Sequence, residues 1–237
     1  MSTPPEPPDA PESPEPAPPS EPAASPGSSE RPAFLRTPAG VIADAWERLA
    51  GGAARGRHAF HTPALATVDA AGLPSVRTVV LRGCDPERRR LLCHSDARAP
   101  KVRSLLERPA AAWLFYDAEH KVQVRAVTRV SVHRVDALAD RQWEATGPSS
   151  RRAYLAPATP GVDTADAAAS PNLPASVRGR VPEPEETLPG RENFAVLAAE
   201  VLSLDVLHLH HAGHVRVRAD LDAPPGGASA GARFVEP

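Results

Sequence analysis

Between residues 77 and 101 the chain carries three kinds of anion-binding side chain, at a spacing that a small β-fold can bring to one point. Arg77 sits in the run Ser75-Val76-Arg77-Thr78-Val79-Val80-Leu81-Arg82, which reads as a strand. His94-Ser95 closes the next apolar run, Leu91-Leu92-Cys93, and Lys101 falls in the first turn of a short helix expected over 99–108. A phosphate monoester needs cations together with hydroxyl or backbone N–H donors. A helix N-terminus adds its dipole and its free N–H groups. Arg77, Ser95 and Lys101 therefore form a candidate phosphate cradle. The same residues also read as a solvated strand arginine, a turn serine and a surface lysine, because Arg and Lys are mostly exposed. Alternation adds a constraint: Arg77, Val79 and Leu81 point one way, and Thr78, Val80 and Arg82 the other. Without a bulge, Arg77 and Arg82 serve different partners.

Gln123 alternates with apolar neighbours in Val122-Gln123-Val124-Arg125-Ala126-Val127. Its amide both donates and accepts, which suits the edge of a planar heterocycle; an outward polar residue on an antiparallel strand is the plain alternative. His208 and His210 share a strand face about 7 Å apart and could begin a metal site. A third ligand is missing, since Asp205 faces away, and an ordinary half-buried strand explains the pattern. Cys93 and His94 are adjacent on a strand and face opposite sides, so they do not make a nucleophile and its base. Trp46, Trp113 and Trp143 sit in apolar patterns and read as packing residues.

The elements that must position these groups are mostly strands. Thr37-Pro38 is a helix start, followed by Val41, Ile42, Ala45, Trp46 and Leu49 at helical spacing and a stop at Gly51-Gly52. Strands are expected over 64–68, 75–82 and 91–94, with turns at 69–72 and 83–89, then a hairpin of 111–116 with 122–133. Helices are expected over 137–146 and 149–155, and strands over 194–209 and 215–221. Residues 157–190 form a long loop, of a length that is usually functional or an insertion, and 223–237 read as a flexible tail. The pattern is mainly β with added helices (α+β), a barrel rather than a doubly wound sheet. No Gly-rich phosphate loop joins a strand to a helix.

Composition sets the outer bounds. Twelve of the 29 prolines fall in the first 32 residues, so residues 1–33 are expected to be a disordered Pro/Glu/Ser/Ala-rich arm, leaving a folded body over 34–222. A net charge of −2 gives no global field for nucleic acid, and no apolar run is long enough for a membrane span. Two cysteines, Cys84 and Cys93, and an acidic start unlike a secretory signal point to a reducing, cytoplasmic setting.

Arg77-Thr78-Val79-Val80-Leu81-Arg82-Gly83, Leu91-Leu92-Cys93-His94-Ser95-Asp96, Lys101, Leu105, Pro109, residues 111–116 and Gln123-Val124-Arg125 follow one another in an order that resembles the pyridoxamine 5′-phosphate oxidase-like family of FMN-binding split barrels. The likeness is closer to the shorter relatives that lack the full oxidase C-terminus. It implies a split β-barrel with flanking helices, a homodimer with flavin at the subunit interface, and an FMN-dependent oxidoreductase acting on a small substrate. It further implies that Arg77 and Lys101 hold the FMN phosphate with the His94-Ser95 pair. The backbone from Val79 through Val80 to Leu81 would lie along the isoalloxazine, with Thr78 and Arg82 beside it among the cofactor-binding residues, and Gln123 would contact the ring. His210 occupies the place of the oxidase's flavin-stacking tryptophan. The oxidase ends its site with Arg-x-His-Asp-Arg; here Arg216-Val217-Arg218-Ala219-Asp220 keeps only the first arginine, which leaves Arg216 and Arg218 as substrate-binding candidates. A non-catalytic FMN-binding or regulatory module, and a barrel of the same shape holding haem or a deazaflavin, stand as alternatives.

Overall fold

The computed structural model describes residues 32–164, 172–222 and 231–237. The expected arm (1–33) lies outside them except at its last two residues. Nine strands form one antiparallel sheet: β1 (Ala64–Val68), β2 (Pro74–Thr78), β3 (Leu81–Asp85), β4 (Arg90–Asp96), β5 (Ala110–Asp117), β6 (Val122–His133), β7 (Phe194–His208), β8 (Val215–Asp220) and β9 (Gly231–Val235). The main path runs β2-β1-β5-β6-β7-β4-β3. Its two end strands are consecutive in sequence and joined only by Val79 and Val80. The sheet must therefore curl until its ends meet, at a seam closed by the chain rather than by ladder hydrogen bonds. β7 supplies the split: along one edge its first half pairs with β4 and its second half with β8.

The seam corrects one sequence expectation. Residues 75–82 are not one strand, because the chain leaves β1 at Thr78 and joins β4 at Leu81, with a register shift between Leu81 and Gly83. Burial still alternates across the link, with Val79 and Leu81 inside and Thr78 and Arg82 outside. The predicted turn is accordingly shorter, since Gly83–Asp85 remain in β3.

Among the described residues there are four α-helices: α1 (Pro38–Ala54), α2 (Pro100–Glu107), α3 (Ala137–Glu144) and α4 (Pro148–Arg151). The Thr37 side chain caps α1 by accepting from the Gly40 N–H, and Val41, Ala45 and Leu49 enter the core fully buried. The helix runs on through Gly51-Gly52. Gly52 is required by packing rather than termination, because a Cβ there would lie 2.7 Å from the Phe60 carbonyl oxygen. Trp113, Phe60 and Phe115 fill the barrel interior, and the Trp113 indole donates to Thr128 Oγ1 at 3.2 Å. A second cluster lies on the outer side of β4 and β7, where Ala139 and Trp143 of α3 cover Leu92, Phe194, Val196 and Ala198. The 157–190 loop contains short 3-10 turns at Ala175–Val177 and from Glu185. The expected tail is corrected in part: Gly231–Val235 pair with β8, while 223–230 lie outside the described residues. Among the described residues no helix is long and apolar enough to cross a membrane.

Candidate functional site

Arg77 lies opposite Leu65 in the β1–β2 ladder, and Leu65 lies opposite Trp113, so its side chain is on the inward face near the seam. The guanidinium donates to the Leu65 carbonyl at 3.1 Å, to Thr67 Oγ1 at 2.8 Å and to Ser75 Oγ at 2.6 Å. All three acceptors are neutral, so Arg77 is held in place without its charge being compensated. Lys101 is the second residue of α2, whose N-cap, Ala99, provides no side-chain cap. Burial lowers the Lys101 pKa; the nearby Cys93 and Asp96 oppose that shift, and Arg77 adds to it. Among the described residues its ammonium has no hydrogen bond or ion pair. The one carboxylate nearby, Asp96, is bound by Arg98 at 2.7 Å. Ser95 is buried on the same side as Cys93, and its hydroxyl donates to the Asp96 carbonyl at 3.0 Å. Arg77 and Lys101 are thus close enough for their charges to interact, and the Ser95 hydroxyl lies on the same face of β4 as Cys93, beside the uncapped start of α2 that carries Lys101. A phosphate monoester fits such a site, because it supplies the charge and acceptors that both cations lack.

His94 goes elsewhere. Adjacent strand residues face opposite sides, so while Ser95 turns inward the His94 ring packs under α3, 4.8 Å from the Phe194 ring and 3.0 Å from Gln142 Oε1. Burial pushes its pKa down to about 4, against the Gln142 hydrogen bond and with help from Arg82. Of the expected pair, only Ser95 offers its side chain to the cradle. Arg82 is exposed on His94's side of the sheet, so the two strand arginines part as alternation requires.

Gln123 lies opposite Tyr116 and Leu207, and Leu207 lies opposite Arg216. This row is on the outward face, the side of the sheet opposite Arg77. The next row is Leu114, Arg125, Asp205 and Arg218. Here sequence reading missed the central residue. Asp205 is 8% exposed and accepts from Arg125 at 2.7 Å, from Arg216 at 3.0 Å through two nitrogens, and from Arg218 at 3.1 Å. Burial alone would raise its pKa, but the hydrogen bonds from Arg216 and Arg218 and the charge of Arg125 hold it below the usual carboxylate range. The available signal was a carboxylate between apolar residues in the second half of the strand, with arginines in both of the strands that come to flank it. Arg125, Asp205 and Arg218 line a cleft of about 620 Å³ together with Ala66, Val76, Ala112, Leu114 and Val127.

His210 lies outside these rows, in the turn after β7, with Nδ1 accepting from the Ala212 N–H at 3.1 Å and its ring 4.2 Å from that of His211. His208 is buried inward, 3.5 Å from Asp44 and edge-on to Phe34. Among the described residues no three His, Cys, Asp or Glu side chains are grouped to hold a metal ion.

Residues 43–134 match the family model described as pyridoxamine 5'-phosphate oxidase, FMN-binding domain. A relative from Arabidopsis thaliana, pyridoxine/pyridoxamine 5'-phosphate oxidase 2, is 31% identical over 128 residues, which span 49% of this chain and 63% of the relative. Among solved structures, a pyridoxamine 5'-phosphate oxidase-related, FMN-binding protein from Nostoc punctiforme PCC 73102 superposes with a TM-score of 0.59 at 22% identity, over 84% of this chain and 96% of its own. PhzG from Burkholderia lata 383 gives a TM-score of 0.63 at 17% identity, over 88% and 98%. At those identities the two structures speak for the fold.

Proposed function

We propose, from the match of residues 43–134 to the family model described as pyridoxamine 5'-phosphate oxidase, FMN-binding domain, that the chain is an FMN-dependent oxidoreductase acting on a small molecule as a homodimer. The observation that carries the reading is the pair of uncompensated cations, Arg77 and Lys101, at the barrel seam. They take the FMN phosphate, with the start of α2 as a further donor and Ser95 joining once its hydroxyl turns from the Asp96 carbonyl. The side chains of Val79 and Leu81 are buried in the core, so the stretch from Thr78 to Arg82 offers the flavin its backbone. When bound, the flavin supplies the redox chemistry, and the protein supplies position and electrostatics.

Gln123, Arg216 and Arg218 lie on the other face of the sheet, so one chain does not wrap one flavin with both sets. A second copy does so if the outward faces meet. Val76 (64% exposed), Val127 (50%), Tyr116 (49%) and Leu114 (41%) give that face the apolar character of an interface. In this arrangement Gln123 approaches the ring held by the partner's cradle, and Arg216 and Arg218 face the substrate.

The test separates an enzyme from a carrier of FMN. Bound flavin is reduced without oxygen, and its reoxidation by dioxygen and by small organic acceptors is followed beside free FMN. The reading expects an acceptor that reoxidises the bound flavin faster than the free one. A bound flavin that behaves like free FMN with every acceptor would leave a non-catalytic FMN-binding module.

A further inference from the structure

The turn that carries the chain from β4 into α2 holds an ion pair beside the phosphate cradle. Asp96 ends β4, and its backbone carbonyl accepts from the Ala99 N–H at 3.1 Å, just before Lys101 enters the first turn of α2. Both oxygens of the Asp96 carboxylate are taken by one residue. Oδ1 accepts from the Arg98 backbone N–H at 2.8 Å and from its Nε at 3.0 Å, and Oδ2 accepts from its Nη2 at 2.7 Å. A guanidinium fork suits a carboxylate in this two-pronged way. The side chain of Asp96 is 11% exposed and that of Arg98 25%, so water screens the pair less than an open surface pair. Arg98 Nη2 also donates to the Ala156 carbonyl at 2.8 Å, which ties the fork to the segment after α4.

The pair matters because of the charges that act on Lys101, which come from Cys93, Arg77 and Asp96. The Cys93 thiol is pushed up to about 12 by burial, so it stays neutral. Asp96 is then the one negative charge of the three, and Arg98 cancels it. Arg77 and Lys101 keep their charge for a ligand, and an incoming dianion meets no bare carboxylate at the start of α2. Without Arg98, the Asp96 charge would pair with Lys101 or repel the phosphate, and either effect falls on the phosphate rather than on the flavin ring. We infer that Arg98 is a positioning residue of the cofactor site: by holding Asp96 in its fork, it keeps Lys101 and the start of α2 available to the phosphate. This role rests on the proposed FMN site, and it places part of the site's selectivity for phosphate in a charge pair outside the cradle.

The experiment is fluorescence titration of the flavin-free full chain with FMN and with riboflavin, beside thermal melts. Arg98→Met is expected to weaken FMN about tenfold and to leave riboflavin unchanged, because it strands the Asp96 charge. The double variant Asp96→Asn/Arg98→Met removes that charge as well and is expected to bind FMN within about twofold of the unaltered protein. Arg98→Lys keeps the cancelling charge and should retain most of the FMN affinity. A merely structural turn gives a different pattern: Arg98→Met weakens both flavins, and the double variant, which also lacks the tie to Ala156, binds no better. That pattern, or FMN binding indifferent to Arg98→Met, would overturn the inference. If Arg98→Met does not fold, Asp96→Asn and the double variant still decide. Asp96→Asn leaves the Arg98 charge unopposed and should tighten FMN severalfold, on the order of one charge at partial screening, while the double variant matches the unaltered protein; equal or weaker FMN binding in Asp96→Asn would count against the role. The unaltered protein separates the two failures. FMN held no more tightly than riboflavin removes the phosphate site and this role with it, whereas a preference for FMN that none of the Arg98 and Asp96 variants changes removes this role alone.

Discussion

Lys101→Met removes the ammonium and keeps an apolar stem of similar length, so it isolates the charge that the cradle contributes. Two opposing effects can be sized. In the protein without FMN, Lys101 is partly buried and its ammonium has no partner among the described residues, so burial works against the charged form. Replacing it should leave the unliganded fold as stable or slightly more so. In the complex, a charge-assisted hydrogen bond to phosphate contributes about 1.5–3 kcal/mol, which is roughly a 10- to 150-fold change in Kd. Riboflavin has the same ring and no phosphate, so its affinity should not change. Fluorescence titration of the unliganded protein with each flavin, beside thermal melts, reads all three quantities. The expected result is weaker FMN, unchanged riboflavin and an unchanged or higher Tm. Equal weakening of both flavins, or FMN binding that does not respond, would refute the assignment of Lys101 to the phosphate. Arg77→Met should differ in kind, because it also strips Thr67, Ser75 and the Leu65 carbonyl of their donor, lowering stability along with FMN affinity.

His94 carries a pH signature. Its folded pKa, pushed to about 4 by burial, lies below the unfolded value of about 6.5, so the unfolded chain takes up the proton first. Stability is full above about pH 6.5 and falls as pH drops towards 4, by on the order of 2–3 kcal/mol. Urea melts between pH 7 and 4.5 should show this, and His94→Gln should flatten the dependence; an unchanged slope would remove His94 as its source. Val76→Glu and Leu114→Glu place charges on the outward apolar face and should convert a dimer to monomers by sedimentation, with weaker FMN binding in the same variants. A dimer that survives both changes would mean that copies do not meet through this face.

Much of the fold was legible because its strands are short, alternate cleanly and are separated by turn residues: β5 and β6 follow the expected hairpin to within a residue. The seam was not legible. Nothing local in Val79-Val80 signals that the chain leaves one end of the sheet and joins the other, since β-branched residues suit strand and link alike. The C-terminal strand β9 was hidden by the Gly, Ala and Pro residues before it, which resemble a tail in composition. Within the site, the inward direction of Arg77 and the separate fate of Arg82 followed from alternation, and Lys101 from the helix start. The same alternation, carried one step further, would have turned the His94 side chain away from Ser95. Asp205 was read only as a missing metal ligand. Its role depends on β6 and β8 lying on either side of β7, a long-range pairing that spacing along the chain does not disclose.

The most direct test of the central claim is the amount of FMN retained per chain, measured with molar mass in one chromatographic run after the protein has been saturated with FMN and freed of excess. The account predicts one FMN per chain in a particle of two chains, and loss of that FMN in the Arg77→Met and Lys101→Met variants. A protein that leaves the column without flavin, or single chains that carry FMN as well as the pair does, would contradict it.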